Sequence, residues 1–125
     1  MKPDKFSLKS RFGSFKFAIH GLVLLLRNEH NSRIHLIAAI AAIVIGILLK
    51  LDYCEWALLI IVIGIVFIAE LLNSSIESLA DHISPEWNEK IGRTKDYSAA
   101  AVLISAFIAL VVGALIFIPK ILALF

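Results

Sequence analysis

The chain has 125 residues, enough for one compact unit and not for two. Its residues are 60% hydrophobic and its mean hydropathy is strongly positive, which excludes an ordinary soluble domain. A chain this short cannot bury so much apolar surface in its own core, so lipid is the expected solvent. The formal net charge of +2 decides little, and the single cysteine, Cys54, excludes an internal disulfide and is expected to be inert.

Residues 1–10 are polar, carry Lys2, Asp4, Lys5 and Lys9, and read as a loose tail. The basic start is not followed by an apolar run with a small-residue cleavage site, so no cleavable signal peptide is expected. Over 10–30 the residues Phe12, Phe15, Ile19, Leu22 and Leu26 recur at helical spacing, interrupted by Arg11, Lys16, His20 and Arg27. That pattern predicts an amphipathic, basic helix lying at a membrane surface. A first span covers 33–51, apolar except for His35 near its start, with Arg33 and Lys50 able to snorkel outward. Asp52, Tyr53 and Glu55 read as a polar turn, and Trp56 as the interfacial anchor that opens a second span, 56–81.

The uninterrupted apolar stretch of the second span runs only from Trp56 to Ala69. At 1.5 Å per residue it covers roughly 20 Å of a hydrocarbon core of about 30 Å. The helix must continue through Glu70 to cross, which puts Glu70 at the inner edge of the bilayer. Ser84-Pro85 is expected to break this helix, 86–93 to form a polar loop, and a third span to run over 96–118, ended by Pro119. Lys2, Lys5, Lys9, Arg11, Lys16, Arg27 and Arg33 precede the first span, and Lys90, Arg93 and Lys95 lie between the second and third. Only Lys50 and Lys120 fall on the other side. The excess of positive charge puts the N-terminus and the 81–96 segment in the cytoplasm.

Glu70, Asn73, Ser74, Glu77 and Asp81 fall within an arc of roughly 100° on the second helix. Three carboxylates on one stripe repel one another and are each expensive near lipid. A divalent cation offsets that most simply, and Mg²⁺ takes one or two carboxylates together with phosphate and water. Glu29, just before the first span, stands at the level of Glu77 and can be a ligand from another helix. Lys95 supplies a point charge suited to phosphate, and Asp96 follows it. Metal, phosphate-binding cation and a group that accepts the hydroxyl proton are the parts phosphoryl transfer needs. Glu29 with Glu77, Lys95, and Glu70 fill those roles in turn.

Blander readings stand beside this one. Glu70 or Asn73 can be an interhelical hydrogen-bond anchor, Glu29 and Arg33 an i,i+4 surface pair, and Glu86 and Glu89 solvated loop charges. Trp56 and Trp87 read as interface anchors. The histidines show no His-Glu-x-x-His spacing, and no phosphate-binding glycine loop of the G-x-x-x-x-G-K-[ST] kind is present. A small transporter using Glu70 as an ion site, or a structural subunit, is the alternative. The third span carries only Ser105 between Ala99 and Ile118, so no continuous polar path crosses it.

The run Glu70-Leu-Leu-Asn-Ser-Ser-Ile-Glu77-Ser-Leu-Ala-Asp81, followed by Gly92-Arg-Thr-Lys95-Asp96 and an Ala-rich span, resembles the signature of the prokaryotic diacylglycerol kinase family. The resemblance extends from about Arg11 to the third span. It implies an all-α integral membrane homotrimer in the bacterial cytoplasmic membrane, with a surface helix, three transmembrane helices and active sites shared between subunits. It implies ATP and Mg²⁺ as the reaction's partners and a membrane lipid as substrate. It makes Glu70 the catalytic base, Glu29 and Glu77 the metal ligands, and Lys95 and Asp96 nucleotide contacts. Glu86, Trp87 and Asn88 correspond to the loop that lines the adenosine, and Asn73 and Ala99 to positions near the lipid. Arg11 lies one residue from the family's nucleotide-contacting arginine, with Ser10 in register. Phe17 stands where a tyrosine is frequent, and Asn88 where a histidine is. The stretch Glu29-His-Asn31-Ser-Arg33-Ile-His35 resembles the branch that phosphorylates undecaprenol, which makes Asn31, Arg33 and His35 lipid-side candidates.

Overall fold

The computed structural model describes residues 5–125, so residues 1–4 of the expected tail lie outside it. Four helices follow one another: α1 (Leu8–Asn28), α2 (His30–Leu48), α3 (Tyr53–Ile83) and α4 (Glu89–Leu122). The last three are long and apolar enough to cross a membrane. The chain is all-helical.

Local chemistry moves several helix ends from where hydropathy alone put them. Ser7 caps α1, its hydroxyl accepting from the Ser10 amide at 3.4 Å, so Leu8 to Ser10 are helical and not part of a loose tail. The expected polar turn at Asp52–Glu55 is instead the start of α3. The Asp52 carboxylate accepts from the Glu55 amide at 2.9 Å and the Glu55 carboxylate accepts from the Asp52 amide at 3.2 Å. This capping box satisfies two otherwise unpaired donors and starts the helix three residues before Trp56. The expected loop over 86–93 shrinks to a linker of 84–88, because the Asn88 side chain accepts from the Lys90 amide at 2.9 Å and opens α4 at Glu89. Pro119 does not end α4, which continues to Leu122. A proline so close to a helix end removes a single backbone bond, a loss that helices near a membrane interface tolerate.

Packing is concentrated between α3 and α4, with α2 against α3. Leu51, Leu59, Val62 and Ile116 are buried together, with Trp56, Ala109, Val112 and Phe117 against them. Most other large apolar side chains of the three long helices, among them Ile40, Ile47, Ile60, Leu103 and Leu110, point outward. Water would not tolerate that much apolar surface, whereas lipid or neighbouring helices do. On α1, Leu25 is buried while Phe12, Phe15, Phe17 and Ile19 are exposed.

Candidate active site

The α2–α3 pair is antiparallel, and its polar residues form a ladder. At the deepest rung His35 Nε2 of α2 lies 3.3 Å from Glu70 Oε1 of α3. The two atoms are within ion-pair distance without the alignment of a hydrogen bond, and Glu70 is only 3% exposed. One turn towards the open end come Ser32 on α2, fully buried, and Ser74 on α3. Another turn out stand Glu29 and Glu77, both half-buried. At 1.5 Å per residue Glu29 is roughly 9 Å and Glu77 roughly 10 Å beyond the His35–Glu70 level, so the two carboxylates share a height. Both lie within electrostatic reach of Glu70.

Glu29 occupies a break in the chain. It is at once the C-cap of α1 and the N-cap of α2, with extended backbone (φ −110°, ψ 114°). The Glu29–Arg33 pair that the spacing allows does not form. Arg33 instead reaches His30 Nδ1 at 3.2 Å. Glu29 and Glu77 have no ion-pair partner among the described residues.

Whether these groups suit Mg²⁺ can be judged from their chemistry. Ser32 Oγ, Ser74 Oγ and Glu70 Oε1 are buried with no hydrogen-bond partner among the described residues, which leaves unpartnered oxygens on the rungs below Glu29 and Glu77. Hard oxygen donors of this kind suit Mg²⁺. No cluster of three or more acidic, histidine or cysteine side chains that could enclose a metal occurs among the described residues. The set therefore fits an ion held by two carboxylates and completed by other oxygens.

The hairpin of α3 and α4 carries the remaining candidates. Lys95 forms an ion pair with Asp81. Asp96 is exposed beside it. Asn73 turns from the ladder towards α4, its side-chain oxygen accepting from Ser98 Oγ at 2.7 Å. Ser98 is a contact that sequence reasoning missed, since a single serine in an Ala-rich span carries no pattern. Ala99 is exposed next to it. In the linker, the Glu86 carbonyl accepts from Ser84 Oγ at 2.8 Å, and Asn88 is committed to capping α4. The exposed Trp87 ring leans over Gly92, where a Cβ would stand 3.3 Å from its Nε1. On α1, the Arg11 guanidinium sits over the Phe6 ring at 5.5 Å, and Phe17 is exposed. No polar contact among the described residues ties Arg11 to the ladder, and Asn31 is exposed without a partner of its own there.

Behind the ladder, a groove of about 490 Å³ runs between α2, α3 and α4, lined by Ala38, Ala42, Val66, Phe67, Ala109 and Phe117 among others. His35 is the one polar side chain in that lining.

Three apolar helices of spanning length, with an acidic ladder gathered at one end of the α2–α3 pair, define a small membrane protein. Residues 16–117 match the family model described as prokaryotic diacylglycerol kinase. An undecaprenol kinase of Bacillus subtilis is 36% identical over 119 residues, covering 95% of this chain and 97% of that protein. A diacylglycerol kinase of Escherichia coli strain K12 is 40% identical over 84 residues, covering 67% of this chain and 69% of that protein. One of Synechocystis is 34% identical over 112 residues, covering 89% of this chain and 64% of that protein. The chain belongs to the prokaryotic diacylglycerol kinase family and is an enzyme of the lipid-kinase type.

Proposed function

We propose that the chain transfers the γ-phosphoryl group of ATP to the hydroxyl of a membrane lipid alcohol at the cytoplasmic face, giving the lipid phosphate and ADP. The observation that carries this reading is the ladder itself: one buried carboxylate, Glu70, with Glu29 and Glu77 about two turns beyond it towards one end of the helices, neither with an ion-pair partner among the described residues. Glu70 accepts the hydroxyl proton as the lipid oxygen attacks the γ-phosphorus and the bond to ADP breaks. Glu29 and Glu77 would hold Mg²⁺, which when bound neutralises charge on the β- and γ-phosphates. Lys95 exchanges Asp81 for phosphate oxygens. Asp96, Glu86, Trp87, Asn88, Phe17 and Arg11 contact the rest of the nucleotide. Asn73, Asn31, Arg33, His35 and Ala99 serve the lipid side.

The excess of Lys and Arg before α2 and in the first two turns of α4 supports a cytoplasmic N-terminus in a bacterial cytoplasmic membrane. The basic and apolar residues of α1 support its lying on the membrane surface. A homotrimer with shared sites belongs to this reading through the family resemblance. Undecaprenol is the preferred alcohol in this reading. Its supports are the Glu29–His35 stretch, the name borne by the Bacillus subtilis relative, and a groove whose small side chains leave room for a methyl-branched chain.

The test is transfer from Mg-ATP to undecaprenol and to diacylglycerol by the purified protein in bilayers. Phosphate should reach both lipids, undecaprenol faster. Glu70→Gln should lose on the order of 10²–10⁴-fold in rate, the range for a positioned general base. Near-normal transfer by that variant would overturn the assignment of Glu70.

A further inference from the structure

His35 is where two features meet. Its Nε2 lies 3.3 Å from Glu70 Oε1, and its ring is the one polar element of the apolar groove between α2, α3 and α4. The Glu70 side chain is 4% exposed and that of His35 is 27% exposed, so the imidazole reaches from the open side to a carboxylate that is otherwise enclosed. The nearby hydroxyls do not hold Glu70: Ser32 Oγ and Ser74 Oγ are both without partners, and Glu70 Oε1 has no hydrogen bond among the described residues. His35 is thus the polar group that touches this carboxylate, and it does so through Nε2.

We propose that His35 is a positioning residue, holding the Glu70 carboxylate through Nε2 at the polar end of the groove and so fixing where the lipid hydroxyl must sit to react. The inference rests on the reading of Glu70 as the base. It assigns His35 a task distinct from binding the lipid: without it the Glu70 side chain can rotate, and a misplacement of about 1 Å costs on the order of 10²-fold in rate. Because the same ring forms the groove's wall, the hydroxyl depth is matched to a chain lying along Ala38 and Ala42.

The contacting atom makes the test specific. A glutamine carries its amide nitrogen about where the imidazole Nε2 stands, whereas an asparagine carries it about where Nδ1 stands. The full chain in bilayers is compared with His35→Ala, His35→Gln, His35→Asn and Glu70→Gln, measuring kcat and the KM values for Mg-ATP and undecaprenol, with thermal unfolding of each. His35→Ala and His35→Asn should lose on the order of 10²-fold in kcat, with KM for Mg-ATP within about twofold of wild type. His35→Gln should recover most of that loss. A lipid-binding role alone would raise the lipid KM and leave kcat in place, which would overturn the proposal. Equal kcat for Gln and Asn variants of equal thermal stability would overturn it as well, even if His35→Ala fails to fold. Glu70→Gln separates the two readings. If it retains transfer, the base assignment fails and the role of His35 falls with it. If it abolishes transfer while His35→Ala retains kcat, only the role of His35 is lost.

Discussion

The amide of Leu51 donates to the carbonyl of Gly46 at 3.1 Å, and the two residues approach so closely that a Cβ on Gly46 would stand 2.9 Å from Leu51 Cδ1. Trp56 closes the same space, its Cη2 also 2.9 Å from that position. Lys50 donates its amide to the Ile47 carbonyl at 3.3 Å, completing a C-terminal cap in which two backbone donors fold back on the last turn of α2. The cap turns the chain from α2 into α3 and sets the antiparallel pairing that brings His35 to Glu70.

This cap needs a left-handed residue, and Lys50 supplies it at φ 56°. For a residue with a Cβ that conformation costs roughly 1–2 kcal/mol, and glycine avoids the cost. Lys50→Gly should therefore stabilise the fold by about 1 kcal/mol, with part of the gain offset by the more flexible unfolded chain. Lys50→Val, β-branched and poorly tolerated there, should destabilise by a similar or larger amount. Thermal unfolding of the purified protein in detergent, comparing the two variants with wild type, reads both signs.

Across the turn, Asp52 caps α3, and the amide of Glu55 donating to its carboxylate holds that carboxyl below its ordinary range. The folded-state value lies below the unfolded one, so the stabilisation is present above the unfolded value and lost as pH falls through the folded value. The wild type should lose stability on acidification through the carboxylate range, and Asp52→Asn, which caps without titrating, should lose less. Melting temperatures of the two proteins measured from neutral pH down to about pH 3 should converge as the aspartate is protonated. A constant gap across that range would show that protonation of Asp52 does not matter to the cap.

The three helices of spanning length were legible because they follow from lengths of apolar sequence. Glu77 and Glu29 could be set at one height from helical rise alone. The capping box was also present as Asp52-x-x-Glu55, but its acidic residues read equally well as a polar turn until their bonds to backbone amides were seen. The contact of His35 with Glu70 is of another kind. Counting residues back from the turn brings His35 only to within about one turn of Glu70, and the tilt of two packed helices decides the rest. Asn73 points to Ser98, away from the ladder, for the same reason: a stripe about 100° wide spans two neighbours, and only packing decides which residue faces which.

Lys95 provides a check on the nucleotide side of the site. Its pair with Asp81 is part-exposed, with side chains 37% and 64% accessible, so the pair contributes at most about 1 kcal/mol to stability. Arg93, two residues away, is itself paired with Glu89 at 2.8 Å. Lys95→Met should keep the fold within about 1 kcal/mol of wild type. It should raise KM for Mg-ATP about tenfold or more, the loss of one charge-assisted contact to phosphate. An unchanged KM would remove Lys95 from the nucleotide site.

Metal dependence separates a site completed by substrate from one built into the fold. Glu29 and Glu77 stand at a similar height near the ends of α2 and α3, and no cluster of three or more acidic, histidine or cysteine side chains able to enclose a metal occurs among the described residues. Mg²⁺ held this way depends on phosphate oxygens for much of its coordination. Chelation should therefore abolish phosphate transfer while leaving the melting temperature of the nucleotide-free protein unchanged, and adding Mg²⁺ back should restore activity in full. Adding Mg²⁺ and a non-hydrolysable ATP analogue together should raise the melting temperature more than either does alone, because each completes the other's binding site. Glu77→Gln should lose that joint effect, since it removes one of the two carboxylates while keeping its volume. A chelator that unfolds the nucleotide-free protein would instead mark the ion as structural and displace Glu29 and Glu77 from the catalytic reading.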